Sequence, residues 1–149
     1  MAKFVYRMQS ILDIKNKLEE QAKMEFAAAK VQLDLEEEKL EIIRQRKLDY
    51  EEEGRRLRRD SLHVRDIIDN RNAITQMDEY RIHQEKCVAK AAEVLEMARE
   101  HMKEARQERK THEKLREKAF DEFVHEENAK EAKEVDELTS YTYGQKRGE

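Results

Sequence analysis

Apolar and small residues return at steps of three and four along the first half of the chain. Phe4, Met8 and Ile11 open the series. Leu18, Ala22, Phe26, Ala29 and Leu33 continue it, and Leu40, Ile43, Tyr50 and Leu57 follow. This is one stripe of a helix on the seven-residue repeat of a coiled coil. The steps 18–22–26 are four plus four, a stutter that predicts local unwinding of a supercoil. Lys15, Glu36, Lys47 and Gly54 fall in the same seam. They weaken it and are candidates to fix register. Gly54 costs about 1 kcal/mol in a helix interior, so the segment around it is expected to be soft.

The second half repeats the pattern more faintly. Met77, Tyr80, Cys87, Ala91, Val94, Ala98, Met102 and Ala105 share a face, followed by Leu115, Ala119 and Phe123. Alanines here, facing Leu, Ile and Phe on another helix, allow a close approach. Asp13 with Lys17, Glu19 with Lys23 and Glu126 with Lys130 place an acid four residues before a base. Each such pair supports an exposed helix by about 0.2–0.5 kcal/mol.

Between the halves, DNRNAIT (Asp69 to Thr75) is the expected turn, because Asp and Asn side chains bond nearby backbone. Thr75 with Asp78 resembles a capping box. The prediction is an all-α antiparallel coiled-coil hairpin, with helix 1 over 4–68 and helix 2 over 75–138. The tail 139–149 loses periodicity, carries Gly144 and Gly148, and is expected to fray. This pairing puts Phe4 and Met8 near Leu138, and Phe26 near Phe120. In the charged stretch EKLREKAFDEF, Phe120 and Phe123 stand three apart. One of them can pack on the first helix and the other can meet a partner; spacing leaves open which. A single seam encloses no core, so the hairpin ends are weak, and partner binding or self-association is the usual remedy.

Composition supports helices over any strand-containing fold. The chain has 149 residues, enough for one domain, and is 44% charged, with no Pro and three Gly. Such a composition also suits disorder; the periodicity decides for helices. The net charge of −4 argues against nucleic-acid binding by the whole chain. One cysteine, Cys87, excludes an internal disulfide, fits a reducing compartment, and reads as a small packing residue. The first residues lack the apolar core of a signal peptide, and no run of about 18 apolar residues could span a membrane. There is no GxGxxG, GxxxxGK[ST], HExxH or GxSxG. We therefore expect no enzymatic activity, no cofactor and no metal; the five histidines read as solvated helix residues.

GRRLRRD supplies the sharpest charge feature, Arg55, Arg56, Arg58 and Arg59, followed by Arg65 and Arg71. Its plain reading is a solvated face. Docking to an acidic protein surface is the main alternative, and anionic lipid another. No aromatic residues interleave for stacking on bases. FVYRMQSILDI is amphipathic enough to touch a membrane surface, but its spacing continues the seam.

Two stretches resemble one known family. In FVYRMQSILDIKNKLEEQAK, Phe4, Arg7, Gln9, Ile11, Leu12, Asp13 and Lys15 occupy the opening pattern of FliJ proteins, small stalks of flagellar type III export. In EKLREKAFDEFVHEENAKEAKEVDEL, Leu115, Arg116, Glu117, Lys118, Phe120, Phe123, Glu126, Lys133, Asp136 and Leu138 resemble the family's end. MDEY, Met77 to Tyr80, is a weaker third match. The resemblance implies a non-enzymatic stalk similar to that of rotary ATPases. Its two-terminus end would enter the hexameric flagellar export ATPase and promote assembly and activity. The rest would reach the cytoplasmic domain of the export gate and handle export chaperones. The implied location is cytoplasmic and peripheral to the inner membrane at the flagellar base. By position, Phe4, Gln9, Leu12, Phe120, Phe123 and Asp136 become ATPase-contact candidates, and Tyr50, Tyr80, His83 and Cys87 gate-contact candidates. The sequence departs from the family at His83, often aromatic, at Cys87, often aliphatic, and in a turn that often holds Gly. The alternatives are a self-associating structural coiled coil and the stalk of an injectisome-type system.

Overall fold

A computed structural model describes residues 2–148. The chain forms two helices, α1 (Gln9–Leu57) and α2 (Val64–Arg147), packed against each other as an all-α hairpin. No strand occurs among the described residues. The described residues gather into two compact units rather than one: residues 2–20 with 104–148, and residues 21–103.

The turn lies at residues 58–63, not at 69–75. Asp60 and Ser61 supply the polar side chains that compete with helical hydrogen bonding. The Arg59 amide donates to the Arg56 carbonyl at 3.2 Å and closes α1; the Ile67 amide donates to the His63 carbonyl at 3.2 Å and opens α2. Arg55 and Arg56 in the last turn of α1, and Asp66 in the first of α2, suit the helix dipoles. The DNRNAIT stretch is helical because its polar groups have work elsewhere. Asn70 is buried against α1, its Nδ2 donating to the Tyr50 carbonyl at 2.8 Å. Thr75 donates back to the Arg71 carbonyl at 3.1 Å instead of capping a helix.

An earlier turn shifts every cross-helix pair by twice the displacement. In the unit 21–103, Asn70 meets Tyr50, Asp78 meets Lys47 at 2.7 Å, Glu85 lies 3.7 Å from Arg44, and His101 lies 3.3 Å from Glu25. In the other unit, Glu108 meets Lys15, and Arg116 Nε donates to Gln9 Oε1 at 2.9 Å. Both sets are antiparallel. Phe26 therefore lies under the Arg99 guanidinium, 5.8 Å from its ring centre, and not beside Phe120. Phe4 meets Phe120 and Phe123 rather than Leu138. From Asn128 on, every described residue of α2 is exposed. The helix nevertheless continues through Gly144 to Arg147, so the segment from Thr139 is helical up to that point.

The seam itself is more regular and more polar than hydrophobicity alone suggests. Along α1 the covered positions run 12, 15, 19, 22, 26, 29, 33, 36, 40, 43, 47, 50, 54 and 57. From Lys15 onward these are alternating steps of four and three, with no stutter. Glu19 takes the place expected for Leu18: Glu19 is 5% exposed and Leu18 44%. On α2 the seam passes through Arg81 and Leu95 rather than Tyr80 and Val94, which are about half exposed. Several charged or polar seam residues have a partner of matching chemistry. Glu19 is held by Arg109 and lies 3.6 Å from Arg106. The Gln84 amide donates to the Glu36 backbone carbonyl at 2.9 Å and to its carboxylate. Gly54 is buried, and a Cβ there would collide with Asn70 Oδ1. The glycine is the space that admits Asn70, rather than a soft spot left by the sequence.

These partners perturb the carboxylates in one direction. The Gln84 amide, with the Lys39 charge, holds Glu36 below the ordinary carboxylate range. Lys47 does the same to Asp78, and Lys15 to Glu108. A carboxylate lowered by folding contributes stability that is present above its unfolded value and lost as pH falls through the folded one. The melting temperature should therefore be flat near neutrality and fall below pH of about 4. Glu36→Gln should blunt that fall in thermal melts followed by circular dichroism; an unchanged acid limb would show that Glu36 does not drive it. The seam assignment gives a second test by urea unfolding. Leu12→Ala (5% exposed) should cost about 2–3 kcal/mol, and Leu18→Ala less than about 0.5 kcal/mol. The reverse order would restore the stutter.

Candidate functional site

The unit containing residues 2–20 and 104–148 holds the most concentrated aromatic chemistry of the chain. Phe4 precedes α1 and lies across α2. Its ring centre is 5.2 Å from that of Phe120, edge-on at 74°, and 5.3 Å from that of Phe123, tilted at 49°. Tyr6 stacks beside it at 6.5 Å. Edge-on and offset geometries suit the ring quadrupoles and add to the burial of apolar area. The Arg116 guanidinium lies 5.8 Å from the Phe4 ring centre while its Nε donates to Gln9, whose own amide donates to Asp13 at 3.0 Å. Phe4 thus joins two aromatic neighbours and a cation over its ring.

Phe120 and Phe123 take different roles, which spacing left open. Phe123 is half-buried in the seam, with Ala119 one turn away; Phe120 sits beside the seam and is 46% exposed. Both touch Phe4, so the pair forms one cluster with an inner and an outer member. Leu12 is turned inward and is 5% exposed. Asp136 lies on the exposed stretch of α2. Around it, Val135, Leu138, Tyr141 and Tyr143 are each about 60% exposed.

The remaining candidates lie in the unit 21–103. Tyr50 is half-buried, and its carbonyl accepts from Asn70. Tyr80, His83 and Cys87 share one face of α2 at steps of three and four, continued by Lys90 and Val94. The His83 Nε2 is 3.7 Å from the Cys87 Sγ. Reading the histidines singly overlooks this pair, although its four-residue spacing is plain in the sequence. Cys87 lies at the edge of the seam, where it and Val88 are both half-buried, and it borders a shallow apolar groove with Ala29, Gln32, Ala91 and Val94. No group of three or more metal-ligating side chains occurs among the described residues. No helix is long and apolar enough to cross a membrane. Arg55, Arg56, Arg58 and Arg59 are exposed at the end of α1.

Phe4 is the common partner of both phenylalanines, which makes it the residue to remove. Phe4→Ala should speed amide hydrogen exchange in 9–16 and 113–123 by at least about tenfold, and leave 21–103 unchanged. Unchanged exchange in the first two segments would show that the cluster does not order this unit.

Comparison with known proteins adds a family and a fold. The family model described as flagellar FliJ protein matches residues 4–148. No curated protein matches. Among solved structures, a protein described as a YscO homologue from Chlamydia trachomatis is similar, with a TM-score of 0.77 and 20% identity over 99% of each chain. At that identity the likeness speaks for the helical hairpin alone. The family match spans both stretches that frame the phenylalanine cluster, and it places the chain in the family of the flagellar FliJ protein, the stalk component of type III export.

Proposed function

We propose that this chain is a non-enzymatic stalk that enters the central pore of the hexameric flagellar export ATPase. The unit built from residues 2–20 and 104–148 would make that contact, promote ring assembly and raise hydrolysis. Membership of the family supports the reading. The observation that carries it is the outer member of the aromatic cluster. Phe120 is held in place by Phe4 yet left 46% exposed on a strongly charged helix. A preorganised aromatic at low entropic cost is a typical anchor for a protein partner. The apolar residues of the exposed end of α2, Val135, Leu138 and Tyr141, extend the same surface.

The second unit would serve the cytoplasmic domain of the export gate and the export chaperones. Tyr80, His83, Cys87 and Val94 offer one partly apolar face for it. A stalk inside a ring must resist sticking to the wall. The 44% content of charged residues, with a seam one residue wide, meets that need. Among the described residues, the grooves at the turn, along α2 and beside Cys87 are shallow, which suits a stalk rather than an enzyme.

The test is ATP hydrolysis by the export ATPase of the same organism, titrated with the full chain. Stimulation should saturate near one copy per hexamer. Phe120→Ala should lower that stimulation by at least about fivefold with little change in helicity, as loss of an interface anchor does. Absence of stimulation by the folded protein would favour a self-associating structural coiled coil.

A further inference from the structure

The turn between the helices is dense in cations that form no ion pair. Residues 55–65 read RRLRRDSLHVR, five arginines against one aspartate. Among the described residues, Arg55, Arg56, Arg58, Arg59 and Arg65 form no ion pair, although carboxylates are close by in sequence on both helices. All five are exposed. The Arg58 side chain lies back over Gly54, still without a carboxylate. Two apolar side chains crown the same turn. Leu62 is 65% exposed and Val64 67%. The acids Asp49, Glu52 and Glu53 are set back along α1 and share a shallow surface depression with Arg56 and Arg59. The turn is therefore a basic apex with an apolar crown and an acidic collar behind it.

The geometry points to a direct contact between this apex and an anionic phospholipid surface. Each element of the apex has a counterpart there. Planar guanidiniums take phosphate oxygens in pairs and tolerate partial dehydration. A cluster of basic residues is drawn to an anionic leaflet, with an effect on the order of fivefold in affinity per residue. Leu62 and Val64 gain by entering the boundary between headgroups and acyl chains, which gives the contact an apolar component. The acidic collar is repelled by the same surface, so the hairpin would meet it turn first.

Other anionic partners fit less well. An acidic protein surface would meet the arginines, but Leu62 and Val64, 65% and 67% exposed, add an apolar component that charge pairing alone does not use. A nucleic acid would want aromatic side chains for its bases, and none occurs between Tyr50 and Tyr80. The inference does not rest on the proposed ATPase contact, because the turn belongs to the unit 21–103 and can be tested with no ATPase present.

The experiment is flotation of the full chain with vesicles of phosphatidylcholine alone, or with about one third phosphatidylglycerol, at low and at high salt. Binding is expected to the anionic vesicles only, and to fade as salt shortens the Debye length below about 8 Å. Replacing Arg55, Arg56, Arg58 and Arg59 together by Gln should weaken it at least about 50-fold, with the helical circular dichroism unchanged. Leu62→Ser with Val64→Ser should weaken it several-fold at equal salt. No binding to anionic vesicles at low salt would overturn the proposal, as would equal binding by the four-Gln variant. If the serine variant binds as well as the parent, and polyglutamate competes as strongly as vesicles, an acidic protein surface is the partner instead.

Discussion

Register between two antiparallel helices is the constraint on which everything else depends. A seam made only of leucine and alanine could slide by a heptad at small cost. Here it is interrupted by layers that fit in one register only. Glu19 needs Arg109, Gln84 needs the Glu36 carbonyl, Lys47 needs Asp78, and Asn70 needs both the Tyr50 carbonyl and the space at Gly54. A displaced register would leave each of these groups covered without a partner, which is costlier than the loss of an apolar contact. Polar seam residues thus trade some stability for a defined pairing.

Register in turn decides what the aromatic residues can do. Because α1 and its lead-in meet α2 where they do, Phe4 reaches both Phe120 and Phe123 and leaves Phe120 partly open. The same pairing leaves α2 without a facing helix beyond Glu127, so its last turns expose Val135, Leu138, Tyr141 and Tyr143. In a family of export stalks, these surfaces have apolar area to offer a partner. The turn adds a cluster of arginines to its own exposed pair, Leu62 and Val64. The two units therefore present different chemistry from one repeating secondary structure.

Much of this is legible in the amino-acid sequence. The absence of proline, the heptad spacing and the helix-forming composition left little room for anything but long helices, since local propensity and periodicity are properties of neighbours in sequence. Lys15, Glu36, Lys47 and Gly54 were visible as seam interruptions, and Phe4, Phe120 and Phe123 as the aromatics of the two matching ends. What misled was reading Asp69–Thr75 as a turn by residue type. Asn70 bonds backbone there as expected, but the backbone belongs to the other helix. Hydrophobicity likewise preferred Leu18 and Tyr80 to Glu19 and Arg81, and the face so chosen on α2 ran on through Val94 in place of Leu95. A charged residue with a partner across the seam is indistinguishable in one sequence from a charged residue in solvent.

The sequence by itself thus determined the helices, their antiparallel hairpin and the residue types available to a partner, because these follow from periodicity within each segment. Only the tertiary structure decided where the chain turns and which residues face one another. Those depend on pairings between groups far apart in sequence, such as Glu19 with Arg109 and Phe4 with Phe120. Their energies exist only once the two helices are side by side.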